Sequence, residues 1–411
     1  MDIIIGAGAT GLAYANFTQN DYLIFEADSE IGGYCKTIKQ DGFIWDYSGH
    51  FFHFRDAKMK EMLCKAIEPS TLLNCHKHTQ IKYNNCYVDF PFQKNIHQLP
   101  KEEFIDCIYD LFNKETKGYS NFLEMLYEKF GKSIAEKFLI PYNEKLYACN
   151  LNELDVEAMG RFFPYADKED IIRNFRTHNN SSYNDTFSYP RGGAIEYIKS
   201  LESGVDHSKI RLNEQVVGIN LNRKILYTTK GTYQFDNLIS TIPFPQLLKL
   251  CGIEFDKSIF HWNKVLVFNL GFDSKGNDKR NNWVYFPDKN LSFYRVGYYD
   301  NIFDDNRMSL YVELGFESDA EINIEMWKER VLADLLKSGI QRNDQHLISD
   351  HSVIMNPAYV HITSKSIEAV KQYKNLLSNK QVYSIGRYGS WTYCSIEDGL
   401  FEAQALANIT K

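Results

Sequence analysis

The 411 residues carry 46 Lys and Arg against 53 Asp and Glu, a net charge of −7 that argues against a general nucleic-acid partner. Hydrophobic residues make up 44% and charged residues 24%, the balance of a chain that buries a sizeable core; at roughly 100–200 residues per domain the length points to two or three domains. No apolar run approaches the ~20 residues of a membrane span. Eight cysteines without a C-x-x-C pair, and a strand starting almost at Met1, lead us to expect free thiols in the cytoplasm rather than a secreted protein.

Residues 2–5 read as a short buried strand, 11–19 as a helix and 22–26 as a second strand. Between strand and helix lies Gly6-Ala-Gly8-Ala9-Thr10-Gly11, a G-x-G-x-x-G pattern in the context that gives it meaning. Gly6 permits the tight turn, Gly8 lets the backbone approach a pyrophosphate, and Gly11 lets helix and strand pack closely. The helix N-terminus offers N–H groups to the phosphates. Glu26, followed by Ala27, ends the second strand about twenty residues on, where an acid holds ribose hydroxyls. Ile31-Gly32-Gly33 comes next.

Residues 56–75 are mixed, with a helical stretch near 59–67, and 78–90 read as two strands about Asn84-Asn85. His76 and His78 have no third ligand group nearby, so no metal is expected. From 100 to about 150 the pattern is helical, with acidic residues after Pro100 where the helix dipole favours them, and with 119–130 and 133–138 continuing the period. Strands return at 215–221, 224–229 and 237–241. Residues 263–272, 283–298 and 308–316 alternate like antiparallel strands, 321–336 is a helix, 381–385 is a strand ending at Gly386, and a last helix runs from about Gly399. The class is α/β, with a dinucleotide-binding unit, a small helical bundle and an antiparallel sheet.

A glycine pair close after the ribose acid resembles FAD enzymes of the amine-oxidase and phytoene-desaturase group, and that resemblance selects FAD over NAD. Gly386-Arg387-Tyr-Gly389-Ser-Trp391-Thr-Tyr393, then Ile396-Glu397-Asp398-Gly399, resembles the closing half of such a flavin site. There the final helix points its N-terminus at the flavin, and its dipole can stabilise negative charge on the reduced form.

Several segments in order resemble the UDP-galactopyranose mutase family: Asp46-Tyr-Ser-Gly49-His50-Phe-Phe-His53, Phe90-Pro91-Phe92-Gln93-Lys-Asn95, and Pro141-Tyr142-Asn143-Glu-Lys145-Leu-Tyr147. Asn184 through Gly193, Trp283-Val-Tyr285 and Phe293-Tyr294-Arg295 extend the match over nearly the whole chain. The resemblance implies a Rossmann-like FAD-binding domain (1–55, 187–245, 377–411), a helical domain (56–75, 94–186) and an antiparallel sheet domain (76–93, 246–376). For the cofactor it implies Gly6, Gly8, Ala9, Thr10, Gly11, Glu26, Ala27 and Gly33 at the nucleotide. At the flavin it implies Gly49, His50, Gly386, Arg387, Tyr393 and Ile396, and it adds Val217 to the cofactor's contacts. It places Arg161 and Arg295 at the family's two pyrophosphate arginines, with His50 as a further catalytic residue. Arginine suits that task because its fork grips phosphate bidentately. Tyr285, Tyr359 and Tyr393 would hold the diphosphate, Phe90, Gln93, Asn143 and Tyr147 the nucleobase, and Phe92 and Asn184 the substrate.

The reaction so implied interconverts pyranose and furanose forms of a nucleotide-diphosphate sugar, UDP-linked in the family, without net redox change. Reduced flavin N5 attacks the anomeric carbon, the nucleoside diphosphate leaves, the ring recloses on another hydroxyl and the nucleotide returns. An external reductant, NAD(P)H or reduced flavin, keeps the cofactor active. The motifs leave the sugar and the base open. Two other readings stand: an FAD-dependent amine oxidase or desaturase, and a non-catalytic nucleotide-sugar or flavin binder.

Overall fold

The computed structural model describes residues 1–114, 117–177, 179–180 and 185–410. Five parallel strands lie in the order Val382–Ser384, Asn237–Ser240, Asp2–Ile5, Tyr22–Phe25, Ile210–Arg211. Every residue of Asp2–Ile5 is buried, as a parallel strand covered on both faces requires. Alternation divides its side chains between two cores. Ile4 meets helices Ala9–Phe17, Ile195–Glu202 and Ile396–Ile409 through Leu12, Tyr197, Ile198 and Leu400. Ile3 and Ile5 turn to the other side, towards Val216 and Leu226 of a three-stranded antiparallel sheet. This is the expected Rossmann-like arrangement, assembled from both ends and the middle of the chain.

A second sheet of eight strands runs in the order Leu347–Met355, His261–Phe272, Ser309–Glu317, Arg295–Tyr298, Trp283–Tyr285, Thr79–Tyr83, Cys86–Asp89, with Val360–His361 pairing the start of His261–Phe272. It is antiparallel save for one pair, Trp283–Tyr285 beside Thr79–Tyr83, which is parallel. Those two strands are far apart in the chain, and no hairpin dictates their direction. One face buries Leu266, Phe268, Val296 and Val312 against Val331 and Leu335 of helix Ile324–Lys337. The other face, half polar, turns towards the parallel sheet.

The helical block packs Lys101–Phe112 on Phe122–Ile134 through Cys107, Leu111, Met125 and Phe130. The 119–138 run is not one straight helix. Gly131 has φ 76°, and a Cβ there would lie 2.6 Å from the Asp110 carbonyl oxygen. Glycine thus lets the two helices touch at the cost of a kink. A π-turn at Ala135–Leu139 follows, then helix Ile140–Tyr147, with proline in its first turn. The final helix starts at Ile396 rather than Gly399, because Ser395 and Asp398 close a capping box. Among the described residues no helix is long and apolar enough to cross a membrane, and no group of His, Cys, Asp or Glu forms a metal cage.

Candidate functional site

A cavity of about 960 Å³ runs from the glycine turn of the parallel sheet to the half-polar face of the second sheet. Gly6 has φ +101°, and a Cβ on Gly11 would run into the Gly6 carbonyl oxygen. A Cβ on Gly8 would meet nothing within 4 Å, so the backbone there stands open to the cavity. Gly8 also caps helix Ala9–Phe17 without a side-chain hydrogen bond, leaving the first N–H groups for an anion. The Glu26 carboxylate accepts from the backbone N–H of Ala7 (2.8 Å) and of Asp28 (3.0 Å), which holds it at the cavity wall. Thr10 fills the notch left by two more glycines: a Cβ on Gly386 or Gly399 would lie 2.9 or 2.6 Å from its Oγ1. The N-termini of the first and last helices therefore converge on one space, where both dipoles favour negative charge. These residues fit FAD: Gly8 would face its pyrophosphate and Glu26 would hold its ribose.

Gly33, Gly49, Ala9 and Ile396 also border the cavity, whereas Gly11 is buried behind it. Ala27 and Val217 do not line it. Strand alternation sends the Val217 side chain to solvent, 53% exposed, so that residue has only main-chain groups to offer.

At the far end the sheet sets Tyr285, Arg295 and Glu313 side by side in register. Arg295 donates from Nε and Nη2 to the two Glu313 oxygens at 2.6 and 2.7 Å, and the Ser48 hydroxyl donates to Glu313 as well. Burial opposes the guanidinium's charge, but Glu313 beside it more than offsets that, so Arg295 stays protonated. The acid occupies one edge of the fork, and among the described residues no hydrogen bond uses Nη1. Next to this row Tyr311 lies over Gly297 and against Gly49, where any Cβ would collide with its ring, and its buried hydroxyl has no partner.

Arg387 lies over the rings of Tyr393 (4.6 Å) and Tyr359 (5.3 Å), which stack on each other at 5.9 Å and 16°. Its Nη1 reaches the Cys394 carbonyl at 3.4 Å, and its buried Nε has no hydrogen-bond partner. No carboxylate pairs with it among the described residues, and arginine cannot shed its proton. Burial and the nearby Arg387 push His50 down to about 4, so it is neutral near pH 7. Its Nδ1 sits 3.1 Å from the Ser48 carbonyl, which assigns the proton to Nδ1 and leaves Nε2 as an acceptor.

Arg161 lines the cavity beside the start of the last helix. Its guanidinium pairs with Asp398 at 2.6 Å, packs over Phe162 and is 37% exposed. Arg55 holds the same carboxylate at 2.5 Å and Glu397 at 2.8 Å. Phe162 in turn meets Tyr393 edge-on at 5.1 Å.

Of the residues expected at the base, Phe90 and Asn143 line the cavity, with Phe90 5.4 Å from Tyr285. Phe92, Gln93 and Tyr147 are buried behind the wall: Phe92 stacks on Phe138, Gln93 donates to the Pro164 carbonyl, and Tyr147 backs Tyr359 at 6.0 Å. Asn184 lies outside the described residues. The reading missed Ser48, Tyr142, Tyr311 and Glu313. One signal was present: Glu313 stands among apolar residues in the interior of strand Ser309–Glu317, where a buried acid needs a partner.

The family model for flavin containing amine oxidoreductases matches residues 7–398. Among solved structures the chain resembles a reduced UDP-galactopyranose mutase at 24% identity, over 99% of this chain and 93% of that one, with TM-score 0.91. It resembles a CLA-producing fatty acid isomerase from P. acnes at 14% identity over 99% of this chain and 98% of that one (TM-score 0.67). Cyclohexylamine oxidase from Brevibacterium oxydans IH-35A is 13% identical over 100% of this chain and 98% of that one (TM-score 0.69). At these identities the likenesses show the fold alone.

Proposed function

The chain belongs to the flavin containing amine oxidoreductase family and takes FAD as its cofactor, and from that premise we propose that it is a flavin-dependent mutase interconverting pyranose and furanose forms of a nucleotide-diphosphate sugar. The observation that carries this reading is the pair of half-buried guanidiniums, Arg295 and Arg387, that line the cavity. Arg295 is neutralised by Glu313, and Arg387 has no acid partner among the described residues. The substrate end therefore holds an uncompensated cation, which suits a diphosphate.

Reduced FAD, when bound, supplies the nucleophile for the anomeric carbon. The protein's task is to hold the departing nucleotide until it returns. Arg387 and the free edge of Arg295 take the diphosphate charge, each charge-assisted bond contributing about 1.5–3 kcal/mol. Tyr285, Tyr359 and Tyr393 line the same wall. Burial pushes the Tyr285 and Tyr359 hydroxyls above their ordinary value, so both remain neutral donors. Neutral His50 adds no charge beside the sugar. Phe90 and Tyr142 offer aromatic faces to a base.

The second reading, an amine oxidase or desaturase, is favoured by the family match itself and by the likeness to cyclohexylamine oxidase. A cationic amine, however, would meet the Arg387 guanidinium in the cavity wall, and like charges repel where water is partly excluded. The two readings part on redox demand. The mutase works only with reduced flavin and consumes no oxidant; an oxidase consumes oxygen steadily with an amine, and that result would replace the mutase reading.

A further inference from the structure

Helix Ile140–Tyr147 lines the cavity with Tyr142, Asn143 and Leu146, but Lys145 is not part of the lining. Its ammonium donates to three backbone carbonyls, those of Phe286 (3.0 Å), Asp288 (2.9 Å) and Phe293. All three belong to the connection between strands Trp283–Tyr285 and Arg295–Tyr298, whose ends carry Tyr285 and Arg295. Three N–H donors thus meet three main-chain acceptors, and no carboxylate shares the ammonium.

The helix is fixed on its other side. Asn263 donates from its side chain to the Leu146 carbonyl at 2.5 Å. Gly315 lies so close that a Cβ would collide with the Lys145 carbonyl oxygen. The helix is therefore seated on strand Ser309–Glu317, which carries Glu313. Lys145 closes a ring that runs from helix to that strand, across the sheet through Arg295 to Tyr285, and back along the connection. Inside the ring Tyr142 meets Tyr285 edge-on at 5.0 Å.

An apolar pair would close the same gap without burying a charge, and buried charge is unfavourable unless fully hydrogen-bonded. What the ammonium adds is direction: it fixes three carbonyls at once. We propose that Lys145 is a positioning residue which, by gripping the 286–293 connection, sets Tyr285 and Arg295 against Tyr142 and Asn143 and so governs the site's hold on a nucleoside diphosphate. This rests on the diphosphate reading above.

The charged groups around the ammonium are few. Asp288 and Asp334 act on it through space, with Asp334 paired to Arg330 at 3.0 Å. On its own helix Glu144 is paired to Lys289 at 2.6 Å. Burial pushes Lys145 down to about 7. Above that pH a neutral amine offers two N–H groups to three carbonyls, and one tie is lost.

The test uses FAD-loaded protein and UDP, with affinity measured by calorimetry from pH 6 to 9. In the wild type, affinity falls as pH rises through about 7. Lys145→Met retains FAD, binds UDP at least about tenfold more weakly and loses that pH step. Combined with Arg295→Ala it adds little further loss, because both act on one contact. Lys145→Arg, which keeps the charge but not the three-way geometry, shows the weaker affinity without the pH step. Wild-type affinity in Lys145→Met, a full additive loss with Arg295→Ala, or the same pH step in wild type and Lys145→Met would each overturn the proposal. If Lys145→Met does not fold, the Lys145→Arg profile decides. If the wild type binds no UDP at all, the diphosphate reading fails and takes this role with it; UDP binding indifferent to Lys145 refutes the role alone.

Discussion

Replacing Arg295 with Met removes a guanidinium and leaves Glu313 sealed in the sheet with its side chain only 1% exposed, so two effects must be separated. Breaking a buried pair by removing one partner costs about 3–5 kcal/mol of stability, because the remaining charge is uncompensated. The loss of charge-assisted bonds to a diphosphate should weaken UDP binding by roughly ten- to a hundredfold. A double variant, Arg295→Met with Glu313→Gln, removes the stranded charge while keeping its volume. We expect it to recover most of the lost stability but none of the UDP affinity. Denaturant unfolding of the FAD-loaded proteins gives the first quantity and calorimetric titration with UDP the second. If the double variant bound UDP like the wild type, the weakening in the single variant would be a folding effect and Arg295 would not touch the diphosphate. Unchanged affinity in the single variant would refute the assignment outright.

Arg387→Met removes the cation without an acid partner and should weaken UDP binding by at least about tenfold, read by the same titration; an unchanged affinity would move the anion site elsewhere. A Cβ on Gly8 meets no neighbour within 4 Å, so Gly8→Ala should fold with native circular dichroism, yet its methyl intrudes on the pyrophosphate approach and FAD content should drop at least about tenfold. His50 is held at about 4, below its ordinary value of 6.5, so the unfolded chain binds the extra proton between those values. Stability should therefore fall by about 2–3 kcal/mol as pH drops from 6.5 towards 4. Unfolding titrations of wild type against His50→Asn should show the variant losing less over that window; equal slopes would place His50 in water.

The nucleotide end was legible in sequence because it is local. Gly6, Gly8 and Gly11 span six residues between a strand and a helix, and each does what its spacing requires. The substrate end depends on pairings the chain does not write down. Arg295 and Glu313 meet only through strand register, and alternation could place Glu313 on a face but not name its partner. Alternation also sends Val217 outward, although its strand was expected. Strand Leu347–Met355 escaped notice because it is the sheet edge, with a polar centre at Asp350, His351 and Ser352. Helix Ser364–Ser378 escaped because apolar Ile367 and Leu376 lie on its solvent face while Ser366 is buried, which blurs the helical period; its signal lies in the capping box of Thr363 and Ser366. The ion pair of Arg161 with Asp398 joins segments 237 residues apart, beyond any local pattern.

The central claim is that the flavin here serves as a nucleophile towards a nucleotide sugar. NMR analysis of products from dithionite-reduced, FAD-loaded protein incubated anaerobically with UDP-galactose and related nucleotide sugars tests it most directly. The account predicts a furanose product from at least one sugar, formed without consumption of reductant and absent with oxidised protein. No furanose from any of them, together with steady oxygen uptake by the oxidised protein on an amine, would contradict it.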